Sequence, residues 1–446
     1  MKMEERTLLS GNIGRQLIGL AIPLLLGNML QQFYNTADSL IVGRFLGTDA
    51  FASVGISGSI MNLFIFILNG FCVGLSVIFA QFYGMGDKRR FREEVFVAVS
   101  FGMVFTICVS LFSICFLGWI LKLIHTPQEL MAYAMPYLMI IFAGLPFTYF
   151  YNLFSGILRA VGNTKAALYF LAIAIVGNVV LDILFIGGLG TGTGGAAAAT
   201  ILSQCLSAVC CYFYLKRYYA DLLCRRENVG MHKELLAQTL KFGFASALHE
   251  SSLYIGKICV QGAVNTLGTS GIAAYTATMR IEGLANSFGD SGGSAMSVLI
   301  SQNMGAGKKE RVRESLKKGF CLNITLCVIL SLLMFFGANT GVRFFINDGA
   351  ETAVKAGADY MRVIAVFYLF CFLGCIFVGY FRGTGRVQIP FFVTTIHISV
   401  RVILSYLLVG RIGLSAVAFA TGIGWILAVT IHTCFYLCTR IKEKGD

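Results

Sequence analysis

The sequence predicts an all-α integral membrane protein: twelve transmembrane helices in two pseudo-symmetric six-helix lobes, a parallel repeat around a central cavity. Three observations carry this. The 446-residue chain is 57% hydrophobic and only 13% charged, with a mean hydropathy of +0.76, whereas soluble domains carry about 25% charged residues. Apolar runs long enough to cross a bilayer recur along the whole chain. The second half of the sequence repeats the first.

The spans fall near 15–38, 50–81, 94–121, 130–156, 166–187, 195–215, 238–264, 271–301, 317–340, 353–380, 389–409 and 413–438. Continuous apolar runs of this length suit helices; barrel strands would alternate every second residue over about ten residues. The loops set the orientation. The termini and the even-to-odd loops hold 26 Lys and Arg, the opposite side holds six, and Lys257, Arg280 and Arg401 lie within spans. That bias puts both termini in the cytoplasm of a multi-pass protein, with the bacterial inner (cell) membrane as the expected location. The net charge of +13 therefore reflects topology and headgroup contact, and no nucleic-acid partner is expected. The fourteen cysteines sit mostly in apolar runs without CxxC or Cys/His spacing, as small core fillers do.

The repeat is read from aligned segments. "AQFYGMGDKRRFREE" (80–94) matches "SQNMGAGKKERVRES" (301–315), and "LGT" recurs at 46–48 and 267–269, both offset by 221 residues. "GILRAVGNTK" (156–165) matches "GYFRGTGRVQ" (379–388), offset by 223. Each half has six spans, an even number, so both copies start on the same side of the membrane. This gives an N-terminal lobe at 1–216, a charged linker at 217–236 and a C-terminal lobe at 237–446. Transporters with internal repeats place their substrate at the repeat interface, exposed alternately by rocking of the lobes.

Ionisable residues inside spans are costly, by at least about 2.5–3.5 kcal/mol each on insertion scales, and so are functional candidates. Asp38 lies in span 1 on a face with Gln31 and Tyr34, and Asn35 lies just before it. Asp182 follows Asn178 by four residues in span 5, so both point to one side. Thr200 begins the polar side of span 6, after the small-residue run "GTGTGGAAAAT" that allows close helix approach. Two aspartates, an amide and a hydroxyl make an oxygen-rich cage that could hold one sodium ion or share one proton, because two close carboxylates resist double ionisation. A structural hydrogen-bond network is the competing reading. At the repeat offsets Asp38 meets Cys259, Asn178 meets Arg401, Asp182 meets Ser405 and Thr200 meets Thr421. A single cation site, in the N-terminal lobe, is expected.

The C-terminal lobe carries other stripes: Glu250, Tyr254, Lys257 and Gln261 in span 7, Glu282, Asn286 and Asp290 in span 8, and His397 with Arg401 in span 11. These charges either neutralise one another or wall a cavity in which Glu250 meets a cationic substrate. Pro23 in span 1 removes a helix hydrogen bond and marks a candidate hinge; Pro136 and Pro146 in span 4 are similar weak points.

Taken together, "FYNTADSLIVGRFLG", "GMGDKRRFRE", "GILRAVGNTK", "GNVVLDILFI" and "TGTGGAAAAT" resemble the multidrug and toxic compound extrusion (MATE) family, in its DinF-like branch. The resemblance implies export of organic, often cationic and aromatic compounds by antiport with protons or sodium. It implies a cation site at Asp38, Asn178, Asp182 and Thr200, a bent first helix at Pro23, and cavity positions at Gln31, Tyr34 and Asn152. Another branch of the family uses acids in helices 7 and 10. Glu250 matches the first, but span 10 has no membrane-centred acid, so a second-lobe ion site is not expected. The rival carrier is a lipid-linked precursor flippase of the wider superfamily, disfavoured by the acids of the first lobe. No HExxH, nucleophile–base pair or GxxxxGK[ST] is present, so no enzyme, no cofactor, and no metal beyond a sodium at the cation-binding residues is expected. The expected partners are small organic substrates and the lipid bilayer, and the expected state is a monomer.

Overall fold

The computed structural model describes residues 8–123, 126–224, 230, 232–346 and 350–445; the side chains of 35–37, 39, 48 and 442–445 lie outside the described residues. The described residues are almost wholly helical. In chain order the α-helices are α1 (Ile13–Met85), α2 (Lys88–Cys115), α3 (Leu117–Leu123), α4 (Gln128–Ala143), α5 (Leu145–Ala160), α6 (Thr164–Asp182), α7 (Gly192–Tyr218), α8 (Lys233–Asn265), α9 (Gly268–Gly305), α10 (Lys309–Phe336), α11 (Ala338–Phe345), α12 (Glu351–Gly383), α13 (Gln388–Ile412) and α14 (Ser415–Gly445).

Among the described residues nine helices are long and apolar enough to cross a membrane, ten when the bent pair α4–α5 is one span. The two long helices outside that set are α8 and α9, which carry Glu250, Lys257, Arg280, Glu282 and Asp290. With them the count is the twelve read from the sequence. The breaks have local causes. α1 contains spans 1 and 2, broken at Gly47 (φ 84°), and its repeat partner Gly268 has φ 71°. This left-handed conformation excludes most side chains, which explains why "LGT" occurs in both halves. α4 and α5 meet at 47° around Gly144, with Pro146 in the first turn of α5, where proline is tolerated. The helix of α1 continues through buried Pro23.

The chain forms two compact units: unit 1 holds Leu26–Ala247 with Gly305–Gly307, and unit 2 holds Ser10–Leu25, Leu248–Met304 and Lys308–Asp446. The packing boundary thus falls inside α8 rather than in the 217–236 linker. Specific contacts explain this. The start of α8 belongs to unit 1 because Thr239 Oγ1 donates to Glu94 Oε1 at 2.7 Å, and Phe244 packs edge-on against Phe71 with centroids 5.4 Å apart. The start of α1 belongs to unit 2 because Arg311 donates to Gly11 O at 3.0 Å and Gln16 Oε1 at 2.7 Å. Pro23 lies just before the point where α1 passes from one unit to the other.

The core of unit 1 is aromatic, with Phe71, Phe79, Phe91, Phe142 and Tyr149 fully buried; that of unit 2 is built on Tyr360, Tyr368 and Phe372. In unit 2 a Cβ on Gly379 would lie 2.2 Å from Gly293 O, so α12 and α9 touch through their backbones, as small residues permit in membrane helices. Large apolar side chains such as Val104, Leu111, Val176, Leu332 and Leu407 stay exposed, which suits lipid as the surrounding solvent. Some buried hydroxyls are satisfied within their own helix, as with Thr106 to Gly102 O at 2.6 Å and Ser291 to Ser287 O at 2.6 Å, and others reach a neighbouring helix, as with Ser110 to Phe142 O at 2.6 Å.

Candidate functional site

Unit 1 brings the oxygen-bearing residues of three spans together. Asn178 and Asp182 lie one turn apart on α6, and Asn178, Asp182 and Thr200 are all buried. The amide of Asn178 is oriented by its network. With its nitrogen towards Asp182 it donates to Oδ2 at 2.9 Å, and its oxygen accepts from Thr200 Oγ1 at 3.2 Å and Thr200 N at 3.0 Å. Thr200 Oγ1 also lies 3.1 Å from Ala196 O. From α1, the Asp38 carboxyl lies in hydrogen-bonding reach of Asp182, and Tyr34 stands near Thr200.

Asp182 Oδ1 is buried with no donor from a neutral group among the described residues. A contact between two carboxyls needs a positive particle. Either one acid carries a proton and donates it, or a cation bridges them; two bare carboxylates in a low dielectric would repel strongly.

Two features were hidden in the sequence. Tyr137 of α4, buried, lies within electrostatic range of Tyr34, Asp38 and Asp182, and its hydroxyl lies 3.5 Å from Met61 Sδ. An aromatic in an apolar span reads as core filler, so nothing singled it out. Its spacing from buried Tyr360 equals the repeat offset of 223, the one signal that marks it. The second feature is a π-helical turn, Ile183–Gly188, that begins directly after Asp182. Such turns often occur at functional sites.

The other candidates fall elsewhere. Gln31 is exposed. The side chain of Asn35 lies outside the described residues. Asn152 donates to Thr148 O of its own helix at 2.8 Å. In unit 2 the cation that Glu250 meets is Arg382, whose Nη2 is 2.8 Å from Glu250 Oε1 and 2.8 Å from His249 Nδ1. Tyr254 is half-buried, and Gln261 donates to Asn265 Oδ1 at 2.9 Å. Asn286 Oδ1 accepts from the Tyr368 hydroxyl at 3.1 Å, and Asp290 Oδ1 lies 3.7 Å from Cys375 Sγ. Glu282 stands near Tyr360, and Arg401 near Tyr275. Arg401 thus sets a buried guanidinium at the repeat position of Asn178. Among the described residues no group of three or more His, Cys, Asp or Glu is arranged to hold a metal ion.

The MatE family model matches the chain twice, over residues 23–184 and 245–407, one copy in each half of the repeat. The chain belongs to the MatE family. "Probable multidrug resistance protein YpnP" of Bacillus subtilis (strain 168) is 29% identical over 378 residues, covering 84% of this chain and 83% of its own. "Probable multidrug resistance protein NorM" of Thermotoga maritima is 25% identical over 447 residues, covering 97% and 94%. A solved MOP superfamily transporter from Pyrococcus furiosus superposes with a TM-score of 0.90 at 22% identity, covering 100% of this chain and 99% of that one. That likeness bears on the fold, and it agrees with the MatE architecture of twelve spans.

Proposed function

We propose that this MatE chain is a multidrug efflux transporter that exports organic, often cationic and aromatic compounds in exchange for protons or sodium. The observation that carries the coupling is the Asp38–Asp182 carboxyl contact, completed by Asn178 and Thr200. In this reading the four residues hold the coupling cation. Each positive charge carried inwards across 100 mV contributes about 2.3 kcal/mol to export. The halves 1–216 and 237–446 act as the two lobes of the transporter, both termini are cytoplasmic, and Gln31, Tyr34, Asn35, Asn152, Glu250, Tyr254 and Gln261 contribute to substrate handling. Names of the relatives support the transport of drugs, and the acid pair supports ion exchange.

The test is counterflow of a fluorescent organic cation in proteoliposomes, with pH and sodium gradients imposed separately. Acceleration by one of the two gradients supports the reading. Transport indifferent to both gradients, with counterflow intact, overturns the ion coupling.

A further inference from the structure

A cleft in unit 2 opens where α9, α10, α12 and α14 end on the side of the basic loops. Four cationic side chains line it: Lys309, Arg313, Arg386 and Arg440, with the rings of Tyr380 and Tyr436. Among the described residues no carboxylate is in its wall; Glu310 and Glu314 on the same α10 are absent from the lining. We propose that this cleft seats the phosphate of an anionic phospholipid headgroup.

Charge comes first. Elsewhere the excess Lys and Arg are spread along loops, as topology alone requires. Here four converge on one cavity of about 60 Å³, room for a few water-sized groups and hence for one phosphate. Four like charges around one cavity draw an anion to it, and guanidinium–phosphate contacts are charge-assisted and able to be bidentate. The cleft is also shaped. Arg386 Nη1 donates to the Thr439 hydroxyl of α14, which fixes one guanidinium, and the Tyr380 and Tyr436 rings meet edge-on at 5.5 Å. Tyrosine and arginine together suit the membrane interface. The commitment to lipid rests on what flanks the cleft. Phe435, Leu437 and Ile441, on the same stretch of α14 as Tyr436 and Arg440, are exposed by 43%, 49% and 71%. A soluble anion has no use for that apolar border, whereas acyl chains do. Basic pockets between helices on the cytoplasmic side are known headgroup sites.

The experiment uses the full chain in neutral-detergent micelles. Its thermal midpoint is followed on adding short-chain phosphatidylglycerol, short-chain phosphatidylcholine or inorganic phosphate. Phosphatidylglycerol is expected to raise the midpoint and the other two are not. Lys309→Gln and Arg440→Gln are each expected to weaken the phosphatidylglycerol response by roughly fivefold. Lys309→Arg, which keeps the charge, should restore it, and Lys216→Gln with Arg217→Gln at the end of α7 should leave it within about twofold. Equal weakening by the α7 pair would reduce the effect to diffuse electrostatics and overturn the proposal. Inorganic phosphate reproducing the shift would overturn it in favour of a soluble-anion site.

Discussion

The carboxyl groups of Asp38 on α1 and Asp182 on α6 lie within hydrogen-bonding reach of each other, with Asn178 donating to Asp182 Oδ2 at 2.9 Å. One acid comes from a helix that begins in unit 2 and continues in unit 1, and the other precedes a π-helical turn.

Asp38→Asn and Asp182→Asn should each reduce efflux to the background of cells lacking the protein, while membrane expression stays normal. An amide keeps the shape but removes the shared charge. Drug accumulation in cells, paired with quantification of the purified protein, checks this; efflux at the normal rate by either variant removes that residue from coupling.

Tyr137→Phe deletes a hydroxyl dipole within electrostatic range of both acids. Its loss should weaken binding of the coupling ion by roughly fivefold, about 1 kcal/mol, with little change in folding. The ion concentration that half-saturates transport is the measurement, and an unchanged value would make Tyr137 a packing residue only.

The dependence on pH has a definite sign if the bridging particle is a proton. Acidifying the outer medium loads the shared site and should accelerate export. Raising external pH through the range where the pair releases its proton should slow it. In Asp38→Asn the slope should vanish, measured as initial rates at fixed sodium.

Arg382→Gln should destabilise unit 2 by about 3 kcal/mol, because a nearly buried Glu250 loses its partner. Glu250→Gln should cost less, since Arg382 keeps His249 at 2.8 Å, and the double variant should recover part of the loss. Thermal midpoints of the three proteins give the order; equal losses would mean that the pair is not coupled.

Gly379→Leu should abolish folded protein, since even a Cβ there meets Gly293 O at 2.2 Å and the clash is with backbone. Gly374→Ala on the same helix, with nothing within 4 Å of its Cβ, is the tolerated control. Size-exclusion profiles separate the two.

Much of the fold was legible because membrane helices announce themselves by length and apolarity. The repeat was legible because each copy needs the same left-handed glycine turn, Gly47 and Gly268. The acids of the site stood out against an apolar background. What remained hidden depends on contacts between distant segments. The Glu250–Arg382 pair joins α8 to α12. The transfer of Ser10–Leu25 to unit 2 rests on Arg311, and that of 233–247 to unit 1 on Glu94 and Phe71. The π-helical turn after Asp182 leaves no mark in composition, and Tyr137 hides among aromatics that only fill space.

The most direct measurement is gradient-driven export in proteoliposomes by the wild type, Asp38→Asn and Asp182→Asn. A pH or sodium gradient is expected to accelerate the wild type and neither variant, while substrate counterflow survives in all three. Acceleration of Asp182→Asn to the wild-type extent would contradict the claim that the two acids jointly hold the coupling cation.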